Sequence, residues 1–110
     1  MSAYLDQTRI NQLHEIMGAE AHSMIASMLI SLADTVERLE TVVAAGDLDQ
    51  AIQAAHAARN DALMLGAAPL QQALRDLEDA ARDADEGRAQ AMLAHVRAVW
   101  PPTRDQLAAL

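Results

Sequence analysis

Apolar residues recur along almost the whole chain at steps of three and four, the spacing that lines up one face of an α-helix. Ile25, Leu29, Leu32, Val36, Leu39 and Val43 form the longest such stripe and predict a helix from Ala19 to Gly46. Before it, Leu5 and Ile10 flank Asp6 at the spacing of a hydrophobic staple around an N-cap. Ile10, Leu13 and Met17 then share a face, and Gly18 can take the left-handed conformation that ends helices, so a short first helix is expected between Asp6 and Gly18. Asp47 and Gln50 have capping-box spacing and open a third helix, with Leu48, Ala51, Ala55, Ala58, Ala62 and Leu65 on one face and Gly66 at its end. Pro69 suits the first turn of a fourth helix, whose stripe is Leu70, Leu74, Leu77, Ala81 and Ala84. The cluster from Asp83 to Gly87 reads as a turn. Beyond it Ala89, Leu93, Val96, Trp100, Thr103, Leu107 and Leu110 keep one register straight through Pro101-Pro102. Internal prolines remove hydrogen bonds at a cost of about 3 kcal/mol, so the fifth helix is expected to be kinked, or to be two coaxial pieces.

These elements predict an all-α fold: an up-down-up-down four-helix bundle made of the second to fifth helices, with the short first helix packed over one end. The composition agrees, because the apolar content comes from Ala, Leu, Ile, Val and Met, with no Phe and a single Tyr and Trp. At 110 residues one domain, 1–110, is expected. The absence of cysteine, of an N-terminal leader pattern and of a run long enough to span a bilayer points to a soluble, cytoplasmic protein. Met1 and the compact length favour, as an expectation, a whole gene product.

A formal charge of −8 disfavours nucleic acid and anionic membranes as partners, since both require a basic face. A protein or small-molecule partner is expected instead. The most informative stretch is Ala54 to Gly66, AAHAARNDALMLG. Taking Ala51, Ala55 and Ala62 as the core direction of its helix, His56 points roughly 120° away from it and should meet solvent. Arg59 and Asn60 lie three and four residues on, in the same surface neighbourhood, and Ile52 and Leu63 supply an aliphatic rim. A neutral imidazole is a good nucleophile near pH 7, and a phosphoryl group received on it would need donors such as Arg59 and Asn60 around its oxygens.

The run Ala55-His56, Arg59-Asn60, Leu65-Gly66, Leu70 and Leu77-Glu78 resembles the histidine-containing phosphotransfer (HPt) domain of multistep two-component phosphorelays, whose pattern is A-H-x-L-K-G followed by L-G-A and L-E. Leu5-Asp6, Leu13, Gly18 and the turn Ala44-Ala45-Gly46-Asp47 extend the likeness over nearly the whole chain. The resemblance implies that His56 is the phosphoacceptor, taking a phosphoryl group from a receiver-domain aspartate and passing it to another receiver. It implies a phosphocarrier acting on receiver domains of response regulators or hybrid histidine kinases. Nothing in the sequence resembles a nucleotide-binding loop or a kinase ATP site, so no ATP site is expected, nor a cofactor or metal, and the protein is expected to be a monomer. Ile52 and Leu63 would then belong to the docking surface. The chain departs from the pattern at Ala58, Arg59 and Asn60, which stand where the family usually has Leu, Lys and Gly.

Two other readings stay open on the sequence: a degenerate HPt-like module that binds a receiver or histidine kinase without carrying phosphate, and a helical dimerisation or scaffold domain. His22 is expected at a cap or core edge, His14 and His95 on the surface, and Met24 and Met28 as core filler. No histidine has a Glu three residues before it, which disfavours a di-iron site. The remaining acidic residues read as a solvated outer face.

Overall fold

The computed structural model describes residues 4–110, which leaves Met1 outside it. Five helices follow in the expected order: α1 (Gln7–Met17), α2 (Glu20–Ala44), α3 (Leu48–Met64), α4 (Ala68–Arg82) and α5 (Glu86–Ala108). The first begins as its sequence dictates. The Asp6 carboxylate accepts a hydrogen bond from the Thr8 amide at 2.9 Å, while Leu5 and Ile10 on either side are buried.

Three turns of one design join the four long helices. The Gly46 amide donates to the Val43 carbonyl and the Asp47 amide to that of Val42. Gly66 and Ala67 make the same pair of bonds to Leu63 and Ala62, and Ala84 and Asp85 to Ala81 and Ala80. Each is a Schellman motif, which needs a left-handed residue at its centre. Gly46 and Gly66 supply it with φ of 71° and 68°, whereas the third turn uses Ala84 at φ 55°. Ala84 is therefore an exposed turn residue, and the α4 stripe in which the sequence placed it ends at Ala81. The residue after each of the first and third turns caps the next helix. Asp47 accepts from the Gln50 amide and Asp85 from the Arg88 amide at 3.0 Å. This cap draws Glu86 and Gly87 into α5 and shortens the turn expected over 83–87. The Gln50 side chain bonds Arg38 instead of reaching back to Asp47, so the expected capping box is half made.

Links this short make successive helices antiparallel. α3 packs between α2 and α4, and α5 lies against both α4 and α2 and closes the bundle. Leu32, Leu39, Leu70, Leu74, Leu77 and Val96 are fully buried along its axis, and Met24 and Met28 pack against this core half-buried. The N-terminal segment is tied over the end that carries the α3–α4 turn. Its Asp6 amide donates to the Gly66 carbonyl at 2.8 Å, Arg9 Nε donates to the Met64 carbonyl at 2.8 Å, and the Tyr4 amide bonds Gln106.

α5 runs through Pro101 and Pro102 as one helix, not two coaxial pieces. The two prolines leave the Arg97 and Ala98 carbonyls without their helical donors, but both of those residues are on the exposed side where water can serve them. On the buried side, the Thr103 hydroxyl donates to the Val99 carbonyl at 2.8 Å and so needs no other partner. His22, expected at a cap or core edge, is exposed beside Leu107 and Leu110; His14 and His95 are exposed as well.

The turns give two stability expectations. Ala84→Gly should raise the unfolding free energy by about 0.5–1 kcal/mol, the left-handed penalty less the entropy a glycine adds to the unfolded chain. In thermal unfolding this is a gain of about 2–6 °C. Gly66→Ala should have the opposite sign and a larger effect, because a Cβ there would lie 2.8 Å from Arg9 Cβ and 2.9 Å from Asp6 Cβ, and α1 would have to lift away.

Candidate functional site

The site forms where α3 and α4 run side by side. The inner face of α3 is built from Ala51, Ala54, Ala55, Ala58 and Ala62, all buried, and α4 answers with Ala73, Ala80 and Ala81. Small residues on both helices allow a close approach, so a side chain of moderate length on one can reach the outer edge of the other. Glu78 does so. It falls on the core stripe of α4, four residues after Leu74 and three before Ala81, and is 3% exposed. Its carboxylate meets His56, whose side chain remains 49% exposed at the rim of α3.

Both Glu78 oxygens lie 3.3 Å from His56 Nδ1. Arg59 brings Nη2 to 3.2 Å from the same nitrogen and Nε to 3.5 Å from Glu78 Oε1. On the other side Arg82 donates to Glu78 Oε2 through both Nε, at 3.0 Å, and Nη2, at 2.8 Å. Burial alone pushes the Glu78 carboxyl up. The Arg82 hydrogen bonds, the charge of Arg59 and the contact with His56 together outweigh that and hold it below the ordinary glutamate value. An ionised carboxylate only accepts and a guanidinium only donates. In the tautomer with its proton on Nδ1 the ring donates to the charged Glu78, and the Arg59 contact with Nδ1 is then no hydrogen bond; in the other tautomer Nδ1 accepts from Arg59 and leaves Glu78 to the two arginines. Nε2 lies across the ring from these contacts and carries the lone pair in the first of these tautomers.

The other residues singled out by the sequence fall around this pair. Arg59 is half-buried beside the ring, and Asn60 is exposed one turn beyond it. Asn60 lines a shallow groove with Leu63, Met64 and Gln71 on the bundle and Asp6 and Arg9 on α1. Leu63 is 58% exposed, whereas Ile52 is half-buried and packs partly against the core. Ala58 is 1% exposed and belongs to the α3–α4 seam. Among the described residues no group of His, Asp and Glu has a metal-binding arrangement, and no helix is long and apolar enough to cross a membrane.

The sequence reading missed the roles of Glu78, Arg82 and Arg9. Glu78 carried a signal, a charged residue at a core-stripe position with a cation four residues on, although nothing local says which helix it faces. Its depressed acidity has a measurable consequence. A carboxyl with a lowered folded-state pKa adds stability above its unfolded value and loses it as pH falls through the folded one. Wild type should therefore lose urea stability relative to Glu78→Gln as pH drops from about 5 to about 3; equal losses in the two proteins would exclude an ionised, stabilising Glu78.

Comparison with known proteins bears on the whole chain. The sequence matches the family model described as "Hpt domain" over residues 23–109. The structure superimposes on the crystal structure of histidine-containing phosphotransfer protein B (HptB) from Pseudomonas aeruginosa PAO1 with a TM-score of 0.92, covering 99% of this chain and 95% of that one at 21% identity. No curated protein matches. The family match takes in α3, α4 and α5 and nearly all of α2, including His56 and its partners, and the chain belongs to the Hpt domain family, the histidine-containing phosphotransfer domains.

Proposed function

We propose that this protein is a phosphorelay carrier whose His56 Nε2 takes a phosphoryl group from the aspartyl phosphate of one receiver domain and gives it to the aspartate of another. The observation that carries this reading is the orientation of the ring. A buried carboxylate engages Nδ1 of a half-exposed side chain, a contact that the opposite ring nitrogen does not share. Family membership and the likeness in fold to HptB support the same chemistry.

In the loading step the Nε2 lone pair attacks phosphorus. The bond from phosphorus to the aspartyl oxygen breaks, the partner's carboxylate leaves, and a P–Nε2 bond forms. Nδ1 keeps its proton, so the ring goes from neutral to cationic as the bond develops. Glu78, 3.3 Å from Nδ1, is a fixed negative charge where that positive charge appears, and its burial strengthens the effect. The reverse sequence unloads the group onto the second receiver.

Arg59 has a separate task. A donor cannot bond a protonated Nδ1, so its guanidinium is available to turn toward the phosphoryl oxygens on the other side of the ring. The exposed Asn60 amide can offer a further donor there. Counting Arg59 and Arg82 against Glu78, the site carries one surplus positive charge in a protein of net charge −8. This local inversion of sign favours a phosphorylated, acidic partner surface. Leu63, the half-buried Ile52 and the groove that reaches Arg9 are the docking surface in this reading.

Incubation with a receiver phosphorylated on its aspartate should give acid-labile phosphate on wild type and none on His56→Gln, read by mass spectrometry. Label on neither, with receiver binding intact in both, would mean a module that binds without carrying phosphate. Leu63→Glu should slow transfer roughly tenfold, as expected when a charge enters an apolar contact. Asp105→Lys, a charge reversal at an exposed position of α5, should alter it little; equal effects would exclude docking around Leu63.

A further inference from the structure

Arg82 bonds Glu78 and makes no hydrogen bond to His56, which Arg59 contacts instead. As an exposed arginine four residues after a glutamate, it has the spacing of an ordinary surface helix pair, the kind that contributes a few tenths of a kcal/mol. Two observations set it apart. Its partner is not a surface group, since the Glu78 side chain is 4% exposed. Both Nε and Nη2 also converge on a single oxygen, Oε2, while Arg59 approaches the other, Oε1. The charged groups acting on Glu78 are thus His56 and Arg59 from α3 and Arg82 from α4 itself.

This division matters once phosphate arrives. Arg59 cannot serve the phosphoryl oxygens and Glu78 equally, and without a second cation the buried carboxylate would keep Arg59 for itself. We propose that Arg82 is a positioning residue for phosphotransfer at His56: by holding Glu78 through Oε2 it keeps the carboxylate on Nδ1 while releasing Arg59 to the phosphoryl group. The proposal rests on the phosphocarrier reading. It adds that α4 contributes a carboxylate–guanidinium unit, and that the second member acts only through the first.

The test uses Arg82→Gln, Arg82→Lys, Glu78→Gln, the Glu78→Gln/Arg82→Gln double variant and His56→Gln, each first checked for wild-type helicity. Phosphoramidate, a small phosphoryl donor that needs no receiver, is the loading reagent. Nitrogen-15 shifts of the His56 ring, followed across pH, report the Nδ1–H tautomer independently of loading. Arg82→Gln should lower the share of Nδ1–H tautomer and slow labelling of His56 roughly tenfold, the scale of a charge-assisted hydrogen bond. Arg82→Lys should recover part of both. The double variant should load no more slowly than Glu78→Gln alone, since a residue acting through Glu78 has nothing left to act on. The proposal is overturned if Arg82→Gln matches wild type in tautomer and rate, or if its full effect persists in the Glu78→Gln background, as a purely structural role would require. Wild type left unlabelled at His56 would instead overturn the phosphocarrier reading, and the proposal with it.

Discussion

The close approach of α3 to α4 is the constraint from which the rest of the site follows. The two helices pack along their length, and small buried side chains line both, Ala51, Ala54, Ala55, Ala58 and Ala62 on α3 and Ala73, Ala80 and Ala81 on α4. Larger side chains would separate the axes, and Glu78 would no longer span the gap to His56. Ala58, where the family usually has leucine, is part of this seam. The departure is therefore felt inside the bundle, whereas Arg59 and Asn60 are felt at the surface.

Burying an ionised carboxylate is costly unless it is fully partnered. Glu78 meets that condition with three groups at once, so the same contacts that make it tolerable in the seam also fix the state of the imidazole. Structural and chemical roles cannot be assigned to different residues here. Arg82 and Arg59 both favour the ionised carboxylate in the interior, and in the proposed mechanism it is the ionised carboxylate that leaves Nε2 as the free nitrogen.

Much of the architecture was legible in sequence because helix periodicity, caps and glycine stops are local signals. Asp6, Asp47, Gly46 and Gly66 all act within a few residues of themselves. The exposure of His56 was legible for the same reason, since the core direction of one helix fixes which way every side chain on it points. The failures were of two kinds. At Ala84 and Gly87 the composition suggested a longer helix and a longer turn, but the Asp85 cap decided the boundary. Glu78 was hidden because its meaning lies in a contact across 22 positions, and a wheel drawn for one helix contains no information about its neighbour. Arg9 was hidden likewise, as its bond to the Met64 carbonyl joins elements 55 residues apart.

The three-residue turns have a kinetic consequence. His56, Arg59, Glu78 and Arg82 all belong to one helical hairpin, α3 and α4 with the Gly66 turn between them. Contacts of such short sequence separation form early in folding, because little chain entropy is lost in closing them. The long-range closure of α5 on α2 costs more chain entropy and is expected to follow the hairpin that carries the proposed site. The residues of the proposed site thus belong to one of the chain's most local tertiary units, and α2 and α5 serve as its support.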